Sequence, residues 1–168
     1  MAERIVIVGA GSAAKTVFGY LKQDDRYDIV GFLVDDAFAH EKVFLGLPLV
    51  RLSDAHKFYS ISDVNAILAI GYKKVNESRT NVFVKVKNLG YQVISYLHPT
   101  VLNMSQHPIG RGSVVLAGVV IEPNVRIGEN NQICAKCLIG HDSVLGDNNW
   151  LSGGVMLGGH VKVGNNCF

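Results

Sequence analysis

Two hydrophobic rhythms share this chain of 168 residues, and one gives way to the other near residue 100. Up to that point apolar runs alternate with helical stripes. "RIVIVG" (4–9) is a continuous apolar run ending in glycine, the pattern of a buried parallel strand. In "SAAKTVFGYLKQ" (12–23), Ala14, Val17, Phe18 and Leu21 fall at i, i+3, i+4 and i+7, which predicts an amphipathic helix. Further strands are expected in "YDIVGFLVD" (27–35), "VFLGLPLV" (43–50, with a turn) and "VNAILAIG" (64–71). A short helix is expected near 53–59, and "VNESRTNVFVKVKNLG" (75–90) reads as a helix capped by Gly90. "YQVISYLH" (91–98) is expected to be the last strand. Such alternation predicts a parallel, Rossmann-like α/β sheet.

From Ile109 an aliphatic residue occupies every sixth position: Ile109, Val115, Ile121, Ile127, Ile133, Ile139, Leu145, Leu151, Leu157 and Val163. Four residues after each comes a small or medium one, from Ser113 through Asn131 and Cys137 to Cys167. Neither a 3.6 nor a 2.0 period produces this. Three six-residue segments close a triangular coil of eighteen residues, with the aliphatic inside and the small residue at the turn. This is the hexapeptide β-helix pattern. Residues eighteen apart then stack at about 4.8 Å, which puts Asp142 against His160 and Gly159 against His141. The chain is thus read as two domains, 1–98 Rossmann-like and 99–168 β-helical, with "HPTVLNMSQHPIG" (98–110) as the join. Ten hexads make three and a third coils, so either the β-helix is C-terminally short or contacts with neighbouring molecules cover its open end.

Composition narrows the partners. Hydrophobic residues make up 48% and charged residues 18%, with a net charge of +2. That balance describes a globular protein and gives no reason to expect nucleic acid. No run reaches the ~20 apolar residues of a membrane helix, and "MAERIVIVGAGS" does not resemble a signal peptide. Cys134, Cys137 and Cys167 are an odd set, consistent with a reducing cytoplasm. The CxxC of "CAKC" lacks a second ligand pair, so it reads as two small residues of the repeat and no metal is expected.

Candidate chemistry gathers in two places. "IGHDSVLGD" (139–147) sets His141 beside Asp142 on a turn, and a histidine titrating near ~6.5 with an adjacent carboxylate suits a general base. Gly159 leaves space beside His141, and His160 joins the patch. His98 and His107 precede prolines in the join and read as structural. In the N-terminal half, "GAGSAAK" opens a helix after a strand, where backbone N–H groups and the helix dipole meet phosphate. Gly9 and Gly11 fit a dinucleotide loop, while Ala14 replaces its third glycine. Asp35 and Asp36 follow the second strand, and Gly71, Lys73 and Lys74 follow the third, at the strand ends where α/β ligands sit.

Taken together, "IVIVGAGSAAKTV", "FLVDD", "AIGYKK", "YLHPTV", "IGHDSVLGD" and "GGHVKVGNNCF" make the whole chain resemble the PglD/NeuD-type bacterial sugar acyltransferases. The resemblance implies a left-handed β-helix, a homotrimer and a cytoplasmic enzyme of surface-glycan synthesis. It implies an N-terminal domain that holds a nucleotide-linked amino sugar through Gly9, Gly11, Ser12, Ala13, Asp35, Asp36, Gly71 and Lys73. Acetyl-CoA would lie between coils of neighbouring subunits, near Trp150, Gly159 and His160. His141, aided by Asp142, would deprotonate the sugar amine, with Gly153 or Gly159 as an oxyanion donor. Relatives often carry a histidine where this chain has Ala13, which bears on the identity of the sugar. Two other functions fit the same fold: O-acetylation of the sialic acid type, and a trimeric ligand-binding scaffold without turnover.

Overall fold

A computed structural model describes residues 2–168 and divides the chain into two compact units. One runs through Gly71 and takes in Asn81–Ile94; the other takes Tyr72–Thr80 and Ser95–Phe168.

The first unit is built on β1 (Glu3–Val8), β2 (Tyr27–Val34), β3 (Val43–Phe44), β4 (Leu47–Arg51) and β5 (Asn65–Leu68), in the sheet order β3-β4-β2-β1-β5. All pairs are parallel except β3 with β4. β1 lies between β2 and β5, and Ile5, Val6, Ile7 and Val8 are fully buried, as a strand covered on both faces requires. Helix α1 (Ser12–Leu21) buries Ala14, Val17 and Leu21. Helix α2 is short (Ala55–Phe58), and α3 spans Glu77–Asn88, so the division between the units falls within α3.

The expected strand at 91–98 does not form as one element. Val93 makes only an isolated bridge to Ala66, and Tyr96–Leu97 becomes β6 of the second unit. The apolar pattern of this segment is shared between two cores: Tyr91 and Val93 belong to the first, while Leu97 packs against the second.

The second unit is a three-faced parallel coil. One face holds β6, β8 (Val114–Val115), β11 (Gln132–Ile133) and β14 (Trp150–Leu151). The next holds β7 (Leu102–Asn103), β9 (Val120–Ile121), β12 (Leu138–Ile139) and β15 (Met156–Leu157). The third holds β10 (Arg126–Ile127), β13 (Val144–Leu145) and β16 (Lys162–Val163). Every register joins residues eighteen apart, as in Ile121↔Ile139↔Leu157. The sixth-position aliphatics form one core, with Val115, Ile121, Ile133 and Ile139 fully buried. The coil starts earlier than the hexad pattern shows, because Leu97, Asn103 and Ile109 pair with Val115, Ile121 and Ile127. Exposed Asn103 stands where an aliphatic would be, and that breaks the rhythm.

Each corner carries a column of left-handed residues: Gly112, Asn130, Asn148 and Asn166; Gly118, Lys136 and Gly154; Asn124, Asp142 and His160. Asn, Asp and Gly are the residue types that enter this region at least cost. Beside the first column runs a buried polar ladder. The N–H groups of Ser113, Asn131, Asn149 and Cys167 donate in turn to the side chains of Ser95, Ser113, Asn131 and Asn149. Arg79 is fully buried in the same unit, where its guanidinium donates to the carbonyls of Asn130 (3.1 Å) and Gly112 (3.4 Å), and burial draws its pKa down to about 10.

Candidate functional site

His141 and Asp142 lie in the turn between β12 and β13, and His160 lies one coil on, between β15 and β16. The triangular coil requires a tight turn there, and the left-handed φ of Asp142 and His160 (both 57°) makes it. His160 N donates to His141 O at 2.8 Å, which locks the two turns together. His141 N in turn donates to the Glu122 carboxylate at 2.7 Å.

The imidazole has a defined orientation. His141 Nδ1 sits 2.8 Å from Asp142 Oδ2. A carboxylate can only accept, so Nδ1 carries the proton and, in the neutral ring, Nε2 carries the lone pair. Nε2 lies over Gly159, where a Cβ would approach it to 2.6 Å. The space that the glycine leaves is therefore filled by the imidazole itself, not held open beside it. The hydrogen bond to Asp142 raises the His141 pKa above its ordinary value, with the nearby charges of Asp142 and Glu122 acting in the same direction.

Asp142 is held in its ionised form first by the amide of Asn124, whose Nδ2 donates to Oδ1 at 2.7 Å, and then by His141. His160 Nε2 is 3.8 Å from Asp142 Oδ2, and the two imidazoles meet edge to face at 5.1 Å. His141, Asp142 and His160 also offer one ligand atom each within 4.8 Å of one another. Both Asp142 oxygens are already engaged, however, so the trio reads as a hydrogen-bonded network. Burial pushes the thiols of Cys134 and Cys137 up.

Trp150 is not at a corner. It stands on β14, half-buried, edge-on to Tyr72 at 5.3 Å, while Tyr72 also meets Phe168 at 4.4 Å. The structure thus separates Trp150 from the turns that carry His141, Gly159 and His160. Its aromatic contact is with Tyr72 of its own chain.

In the first unit, Gly9 (φ +131°) passes so close to β5 that a Cβ would lie 2.5 Å from Ala69 O. Its glycine is required by that crossing, whatever the loop binds. Gly11 is the N-cap of α1 and has no side-chain partner, and a Cβ there would meet nothing within 4 Å. The first turn of α1, with Ser12 and Ala13, is therefore open at its N-terminus. Asp35 caps a 3₁₀ turn after β2 and Asp36 begins it, and both are already bonded. Asp35 pairs with Lys85 and accepts from Ala37 N, and Asp36 Oδ1 accepts from Ser53 N at 3.2 Å. Those bonds lower both carboxyl pKa values, the Lys85 contact leading for Asp35 and Ser53 for Asp36. A cavity of about 400 Å³ opens between Asp35, Asp36, Ser53, Lys85 and Asn88. Gly71 ends this stretch, whereas Lys73 falls in the segment that joins the coil unit.

Several contributing residues are invisible in the hexad reading. Asn124 is eighteen residues before Asp142 and could have been found by counting one coil down. Glu122 has no such signal, because its side chain crosses nineteen positions to reach a backbone N–H. Nor does Lys85, placed by the packing of α3 rather than by any motif.

Residues 4–86 match the PglD N-terminal domain family. Among solved structures, the chain resembles WeeI from Acinetobacter baumannii AYE, with 18% identity over 97% of this chain and 76% of that one, at a TM-score of 0.78. It resembles a histidine-to-asparagine mutant of perosamine N-acetyltransferase from Caulobacter crescentus, in complex with CoA and GDP-perosamine, with 24% identity over 99% and 85% and a TM-score of 0.72. The acetyltransferase domain of PglB from Neisseria gonorrhoeae FA1090, in complex with acetyl coenzyme A, shares 20% identity over 99% and 90%, at a TM-score of 0.66. The two-part architecture is thus common to all of them along nearly the whole of this chain. The match at residues 4–86 gives the chain a PglD-type N-terminal domain, and the fold that continues from it is the one seen in these solved acetyltransferase structures.

Proposed function

We propose that the chain is a cytoplasmic, acetyl-CoA-dependent N-acetyltransferase of a nucleotide-linked amino sugar destined for surface glycan. The observation that carries this reading is the Nδ1–H···Asp142 bond, which leaves His141 Nε2 as a proton acceptor on an exposed turn. As the amine nitrogen bonds to the thioester carbonyl carbon, Nε2 takes the proton that nitrogen must lose. The C–S bond then breaks, and the proton passes to the departing sulfur. The developing oxyanion needs a donor, and the N–H of Gly153 or Gly159 is offered for it. We assign nucleotide-sugar holding to residues 1–98 and acyl transfer to 99–168. The open N-terminus of α1 at Gly11–Ala13 suits phosphate, and the cavity beside Asp35 and Asp36 suits the base or ribose. Gly9, Gly71 and Lys73 border that region of the sequence. Acetyl-CoA would run along the coil near Gly159 and His160; Trp150, on another face, is the weakest member of that set.

The test is acetyl-CoA consumption with a panel of UDP-, dTDP- and GDP-linked amino sugars. The expected result is turnover with one of them and none with the corresponding hydroxy sugars. Turnover of hydroxyl acceptors alone would establish O-acetylation instead, and nucleotide-sugar binding without turnover would leave a scaffold. Among the described residues no helix is long and apolar enough to cross a membrane.

The same reading includes a homotrimer. Leu102, Val120, Leu138 and Met156 point outward from β7, β9, β12 and β15 and stack into an apolar stripe, with Met156 74% exposed. A stripe of this kind, on a short coil with little core of its own, calls for a partner. Sedimentation at micromolar concentration is expected to show a trimer, and Met156→Glu to weaken it without unfolding the chain. A monomeric wild type would remove the trimer from the proposal.

A further inference from the structure

Asp142 is not the last link behind His141. On the same corner, one coil earlier, left-handed Asn124 donates from Nδ2 to Asp142 Oδ1 at 2.7 Å, and its Oδ1 lies 2.9 Å from Nε2 of His107. The chemistry of the three groups gives this chain a direction. Asp142 can only accept, so the amide must turn its nitrogen toward it. Asn124 Oδ1 then faces His107, which must present Nε2–H, and this holds whether His107 is neutral or an imidazolium. His107 is itself placed by Ser105, whose Oγ accepts from His107 N at 3.1 Å and donates to Val125 O at 2.6 Å.

We infer that Asn124 is a positioning residue for His141, and that His107 sets the orientation of the Asn124 amide. By occupying Asp142 Oδ1, Asn124 turns Oδ2 toward His141 Nδ1 and so selects the tautomer that keeps Nε2 unprotonated. This rests on the reading of His141 as the base, but its structural content does not. The left-handed corner explains why the residue is asparagine: the same φ of 61° suits Asn, Asp or Gly. The titratable groups that face this network are Glu122 on the backbone of His141, His160 across from Asp142, and His107 at its far end. The largest influence holding Asp142 ionised is the Asn124 hydrogen bond, in agreement with the geometry.

The experiment uses the full chain with ¹⁵N-labelled histidine. Wild type is expected to show His141 as the Nδ1–H tautomer and to titrate above an ordinary histidine. Asn124→Gly removes the amide while easing the left-handed backbone, so the fold is kept. It is expected to lower the His141 pKa, to mix its tautomers and to lower kcat by about tenfold, the worth of one hydrogen bond to a charged group, with the KM for acetyl-CoA unchanged. Asn124→Asp, of the same shape, places a second carboxylate against Asp142 and is not expected to restore the rate. His107→Ala should shift the tautomer balance in the same direction by less. If Asn124→Gly leaves the His141 tautomer and pKa as in wild type, the inference is overturned even when His141 proves to be the base. If the tautomer responds but His141→Ala turns over normally, the positioning network stands and the proposed function falls.

Discussion

His141→Ala should fold and assemble as the parent does and turn over roughly 10²–10⁴-fold more slowly, the usual worth of a positioned general base. The fold should be indifferent because the imidazole is about half exposed and its nearest neighbour across the coil is the backbone of Gly159. Asp142→Asn should cost less, since the base remains while its tautomer is no longer imposed. The pH profile separates the two. Asp142 raises the pKa of His141, so its carboxylate delays loss of the imidazolium proton as pH rises. Without that carboxylate His141 becomes neutral at lower pH. The acid limb of kcat/KM should then move toward lower pH while the plateau falls, because a less basic nitrogen accepts a proton less readily. An acid limb that stays in place would assign it to another group, and a His141 variant with near-normal turnover would end the mechanism.

Asn131→Ala should be among the most damaging changes to stability, about 3 kcal/mol or more by chemical denaturation, from three hydrogen bonds lost in a buried place. Asn131 is fully buried at a coil corner. Its Nδ2 donates to the carbonyls of Gly128 and Gly146, both at 2.8 Å, and its Oδ1 accepts from Asn149 N at 2.9 Å. Alanine would take the side-chain partners from the Gly146 carbonyl and the Asn149 N–H, and would leave the Gly128 carbonyl only the Ser113 hydroxyl at 3.2 Å. Leucine should be no better, because shape is not what is missing. Asn148, on the left-handed column, offers the contrast: Asn148→Gly keeps the backbone and removes only the bond from Asn130 Nδ2, so a change below about 1 kcal/mol is expected there. If Asn131→Ala melts like the parent, the polar ladder does not hold the coil together.

How much of this was legible beforehand differs between the two halves. The coil announced itself because each hexad must bury one aliphatic, and that demand leaves no freedom at ten consecutive positions. Its first turn did not, because Asn103 sits at the rim of the coil, where exposure relaxes the demand. The segment 91–98 misled for the opposite reason: its apolar residues are all used, but by two different cores. Within the site, the stacking of Asp142 on His160 followed from counting alone. The orientation of the imidazole did not, since it depends on a hydrogen bond whose direction only the placed atoms reveal. Asp35 and Asp36 were legible as a strand-end pair, but their bonds to Lys85 and Ser53 were not, because those partners come from elements far away in the chain.

The eighteen-residue columns also govern what kinds of change this domain can absorb. Eighteen inserted residues with the same hexad pattern would add a complete turn, and every residue downstream would keep its corner. Six would satisfy the aliphatic rhythm equally well, yet rotate the whole downstream segment by one third of a revolution. His141 and Asp142 would then fall on a different edge from Asn124 and Glu122, their buried aliphatics undisturbed. Chain length in this domain is consequently counted in phase: two insertions alike in hydrophobic pattern and in cost to the core would differ completely in what they leave of the site.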